Sequence, residues 1–84
     1  MATETRPGGM PLWKYADGEN IACTEKVKVL DENLAEIREL MSEALDDAVL
    51  LGCPAEQFRE ALRGLVEGLV SQYPDMARGE KEKK

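Results

Sequence analysis

The chain contains no histidine. That removes the commonest general base and the Glu-x-x-His ligand pairs of dinuclear carboxylate bundles. Cysteine is limited to Cys23 and Cys53. Two thiols without a histidine do not make the four-ligand set of a structural zinc site, so no metal and no cofactor is expected. Aromatic residues are scarce, and Trp13 is the single tryptophan. No run approaches the ~18 apolar residues of a membrane span. The first residues, Met1 to Pro11, lack the apolar core of a secretory signal, so the expected location is cytoplasmic, with both cysteines as free thiols. Eleven Lys and Arg face 17 Asp and Glu, a net charge of −6. Phosphate binding needs a Lys/Arg surface, so nucleic acid is excluded as a partner. There is no glycine-rich phosphate loop. A pocket of ~300 Å³ is also hard to build in 84 residues that form little more than a helical hairpin. The chain is therefore not expected to be an enzyme.

What is present is helical periodicity. Val27, Leu30, Leu34, Ile37, Met41, Ala44, Ala48 and Leu51 alternate at spacings of three and four. That spacing places them on one face of a single α-helix, expected over Thr24 to Leu51. Thr24 suits the N-cap, and Gly52 followed by Pro54 suits the stop. A second helix is expected from about Pro54 to Gln72, with Phe58, Leu62, Leu65 and Leu69 as its apolar stripe. Pro54 would take its first position, and Tyr73-Pro74 would end it. Gly64 and Gly68 lie one turn apart on this helix. They are either a groove for a closely approaching helix or tolerated surface glycines, each at a cost of about 1 kcal/mol against alanine.

Before the helices, residues 1–10 are polar and rich in Pro and Gly, the composition of a disordered terminus. Pro11 to Cys23 form an arm carrying Trp13 and Tyr15. The Asp17-Gly18 pair predicts a turn there, either within a short β-hairpin or in a plain loop. Two readings of the aromatic cluster stand: it folds back over helix surface to complete a small core, or it docks on a partner. Residues 74–84 have no apolar period and are expected to be a disordered, charged tail.

Over Thr24 to Leu51, eight acids face three bases. Glu32, Glu36, Glu39, Glu43 and Asp46 form a ridge away from the Leu34-Ile37-Met41 stripe. The plain reading is a solvated face, and the sharper one is docking to a basic partner. Cys53 is read as a small turn residue, with the alternative of a thiol activated at a helix start.

These elements predict an all-α fold: a hairpin of one long and one shorter helix, with a mostly irregular N-terminal arm. The ordered domain is expected over residues 11–73. A longer first helix would overhang its neighbour and expose Val27, Leu30 and Leu34. The arm, a second copy or another protein would have to cover them. Two hairpins closing a four-helix bundle would give a homodimer. The expected function is a non-catalytic protein–protein interaction or accessory module, binding another protein or itself. Its candidate contact residues are Trp13, Tyr15, Val27, Leu30, Leu34, Gly64 and Gly68. The alternative is thiol-based redox or regulatory chemistry at Cys23 and Cys53.

Overall fold

A computed structural model describes residues 4–75. The described residues contain two α-helices, α1 over Thr24–Leu50 and α2 over Ala55–Glu67, and no strand. The chain is thus an all-α helical hairpin with an irregular arm. It divides within α1 into two compact units, one of Met1–Asn33 with Tyr73–Lys84 and the other of Leu34–Gln72. None of the helices is long and apolar enough to cross a membrane.

In the first unit the arm is built from two reverse turns. The first joins Arg6 to Gly9, with Pro7 and Gly8 at its centre. Proline presets φ at the second position of a turn, and Gly8 supplies the positive φ (98°) that a type II turn needs next. The second turn spans Tyr15 to Glu19. The Gly18 N–H donates to the Tyr15 carbonyl at 2.9 Å, and the Tyr15 N–H donates to the Glu19 carbonyl at 2.8 Å. Its loop is therefore Ala16-Asp17-Gly18, three residues with the glycine at positive φ, rather than the two-residue Asp17-Gly18 loop. Asp17 Oδ1 fixes it further by accepting the Glu19 N–H at 2.9 Å.

Between the turns, Met10 to Tyr15 bonds on both edges. Leu12 N–H donates to Glu4 and Arg6 N–H to Met10; on the other edge Ile21 N–H donates to Trp13. Two isolated antiparallel bridges result, Thr5 with Pro11 and Lys14 with Asn20. The arm is thus hairpin-like without forming a strand. Its order begins earlier than composition suggests. Glu4 to Met10 fall in the stretch expected to be disordered, yet they supply half of this bonding. Residues 1–3, and residues 76–84 of the expected tail, lie outside the described residues.

Helix α1 starts where the Cys23 carbonyl accepts the Val27 N–H at 3.0 Å. Cys23 therefore occupies the cap position expected of Thr24, which is the first helical residue. The C-terminal end lies in the second unit and is a Schellman motif. Cys53 N–H reaches back to Ala48 at 2.8 Å and Gly52 N–H to Val49 at 3.0 Å, with Gly52 at φ 101°. This turn sets α2 against the end of α1. Ala48, inside it, is the most enclosed of the described residues, at 8% exposure.

Pro54 is the N-cap of α2, one position before the expected N1, with φ −60° and ψ 141°. Helix α2 has 13 residues and ends at Glu67, five residues before the expected Gln72. Gly68 caps it, its N–H shared between the Gly64 and Leu65 carbonyls at 3.1 and 3.2 Å. Two glycines one turn apart lower the helix propensity of this end, and Val70 and Ser71 beyond them do not restore it.

Candidate interaction surface

The first unit holds a polar clasp centred on Asp31. One carboxylate oxygen, Oδ1, accepts the Trp13 indole N–H at 2.7 Å and an Arg6 guanidinium N–H at 2.5 Å. Arg6 also donates through Nε to the Pro11 carbonyl at 2.8 Å, which ties the first turn to the segment that follows it. The hydrogen bonds from Trp13 and Arg6 hold the Asp31 carboxyl below its ordinary range. Nearby, Lys26 Nζ donates to the Tyr15 hydroxyl at 3.2 Å and sits 5.1 Å from the ring centroid. That adds a cation–π contact to the hydrogen bond. Lys14 pairs with Glu4 at 2.9 Å, and its hydrogen bond lowers the Glu4 pKa.

Of the two readings of the aromatic arm, the described contacts match the first: Trp13 and Tyr15 fold back onto α1 of their own chain. Val27 and Leu30 are half-buried in this unit; Leu34, in the second unit, is half-buried as well. Those three were expected to be left bare by a longer α1. An open depression of about 480 Å³ remains beside the clasp, lined by Ala22, Thr24, Val27, Lys28, Asp31 and Glu32. It is a surface hollow, with the Lys28–Glu32 pair at 3.9 Å on its rim.

Most of the bare apolar surface lies in the second unit; the first exposes Val29 and Tyr73. Nine large apolar residues of the second unit are at least half exposed: Ile37, Leu40, Val49, Leu50, Leu51, Leu65, Val66, Leu69 and Val70. Met41, Leu45, Phe58 and Leu62 are half-buried. Gly64 and Gly68 are exposed, and a Cβ built at Gly64 meets nothing within 4 Å. Leu40, 68% exposed, was absent from the expected stripe. Its signal was its position, three residues after Ile37 and four before Ala44.

Charge in this unit is segregated. Glu36, Glu39, Glu43 and Asp46 stand exposed along α1. On α2, Arg63 bridges Glu56 at 3.1 Å and also pairs with Glu60, while Arg59 reaches Glu56 at 3.3 Å. Arg63 lowers the Glu56 pKa, and Glu56 raises that of Arg63. Cys23 is exposed, Cys53 is half-buried, and both are free thiols. Cys53 Sγ donates to the Pro54 carbonyl at 3.5 Å. No cluster of metal-binding side chains occurs among the described residues. The sequence reading missed Arg6 and Asp31 as a pair. Arg6 lay in the stretch assigned to disorder, and Asp31 was one acid among eight, marked only by its place next to Leu30 and Leu34. Comparison with protein-family models, curated proteins and solved structures finds no match for this chain.

Proposed function

We propose that the chain is a small helical protein–protein interaction or accessory module with no catalysis of its own, whose partner is another protein or a second copy of itself. The observation that supports this reading is the imbalance of the second unit. It exposes nine large apolar side chains and buries one small one, Ala48. Apolar surface left bare on this scale is a mark of interfaces. A hairpin of two helices also has too little core to stand alone comfortably.

The reading is tested by immobilising the intact chain and a variant carrying Leu40→Asp with Leu69→Asp. Both positions are more than two-thirds exposed, so the new carboxylates meet solvent rather than a core, and circular dichroism is expected to show unchanged helicity. The expected result is a defined protein, the chain itself or another, retained by the parent and lost from the variant. Equal retention by both would overturn the reading.

A further inference from the structure

We infer that the arm is a strap: residues 4–21 order and dock on α1 in one step, and they come off as one piece when a tie at Asp31 or Lys26 is lost, baring the Lys26–Asp31 stretch of α1. The inference concerns what opens within the chain and does not depend on the interaction-module reading.

The arm does not hold its own shape. Its bonded N–H groups, those of Arg6, Gly9, Leu12, Tyr15, Gly18 and Ile21, donate to Met10, Arg6, Glu4, Glu19, Tyr15 and Trp13, all within the arm. They make two isolated bridges and no strand among the described residues. A hairpin without a packed face is marginal in water. Gly8, Gly9 and Gly18 are each held at positive φ, and glycine loses more freedom on ordering than any other residue. This bonding therefore persists only while the arm lies against a helix.

The grip of α1 on the arm is polar and shallow. Met10, Pro11, Leu12, Trp13, Tyr15 and Ile21 are half-buried, and no described residue of the first unit is fully enclosed. Limited apolar burial leaves the side-chain bonds a large share of the hold. Asp31 takes Arg6 and Trp13, and Lys26 takes Tyr15 through its hydroxyl and its ring. These ties reach the first turn, the segment between the turns, and the head of the second turn. The parts they reach are bonded to one another. Arg6 Nε to Pro11 and Leu12 N–H to Glu4 join the first turn to the middle segment. Ile21 N–H to Trp13 and Tyr15 N–H to Glu19 join the second turn to the same segment. Loss of either tie thus loosens the segment on which both turns depend. The Asp31 and Arg6 side chains keep 26% and 32% of their surface in water. Solvent reaches that tie directly, so opening requires no break in the helix.

Amide exchange measured by NMR on the intact chain and two variants, Asp31→Ala and Lys26→Met, tests the inference. Asp31→Ala removes the acceptor of both Arg6 and Trp13. It should lower the protection of the Leu12 and Ile21 amides by one common factor, about tenfold for the loss of charge-assisted bonds. Lys26→Met keeps the apolar stem and removes the donor. It should lower protection at Leu12, which pairs with Glu4, by the same factor as at Tyr15. Helical carbon shifts across α1 and α2 should match the parent in both variants. A fall confined to Tyr15 and Gly18 in Lys26→Met, or to Gly9 and Leu12 in Asp31→Ala, would show that the two turns open separately and would overturn the inference. Arm protection indifferent to Asp31→Ala would also overturn it, as would loss of helical shifts from Val27 to Asp31.

Discussion

At the scale of single residues, Asp31 decides where the arm lies. Its Oδ1 receives Arg6 from the first turn and Trp13 from the segment between the turns, so one oxygen fastens both. Because folding lowers the Asp31 pKa, the clasp contributes fully above the unfolded aspartate value and is lost as pH falls through the lower folded value. The Trp13 indole N–H resonance should therefore titrate with a midpoint below 3.8, the ordinary value. Asp31→Asn should abolish that titration. A midpoint at or above the ordinary value would contradict the clasp. Trp13→Ala should lower stability by about 1–3 kcal/mol in urea denaturation, and Trp13→Phe by less, since phenylalanine keeps ring area but cannot donate. The aromatic half of the clasp was legible: a lone Trp beside a marginal core is usually recruited into it. Its carboxylate was not, because acids on a helix face look alike in sequence until a donor from elsewhere selects one.

At the scale of elements, helix positions were legible and helix ends less so. The alternation from Val27 to Ala48 fixed α1, since few other patterns repeat that spacing for about six turns. Gly52 and Pro54 fixed the break, because only a residue at ease with positive φ closes a Schellman turn. Gly52→Ala should destabilise the hairpin by roughly 1–2 kcal/mol. That cost is purely backbone, as a Cβ there meets nothing within 4 Å. The end of α2 was misplaced because its apolar stripe continues through Leu65 and Leu69 while its propensity does not. Gly68 has a right-handed φ of −87°, so alanine fits without strain. Gly68→Ala should stabilise the end of α2 by about 0.5–1 kcal/mol and extend helical carbon shifts past Glu67. Unchanged shifts would show that something other than propensity stops the helix.

At the scale of the whole molecule, the two units differ in how far each completes itself. Met1–Asn33 with Tyr73–Lys84 covers its stretch of α1 with an arm held by named bonds. Leu34–Gln72 leaves a two-helix core open. The sequence pattern carries more apolar surface than one hairpin buries, counted over Val27, Leu30 and Leu34 and the Phe58-Leu62-Leu65-Leu69 stripe. Val27, Leu30 and Leu34 are half-buried, whereas Leu65 and Leu69 are exposed, as are Ile37 and Leu40. Hydrogen exchange followed against protein concentration tests the proposed interaction surface most directly, for a second copy as its partner. The amides of Leu62 to Glu67 should gain protection as concentration rises, while those of Lys26 to Asp31 beneath the arm should exchange at a constant rate. Exchange at Leu62 to Glu67 that is independent of concentration from micromolar to millimolar would contradict it.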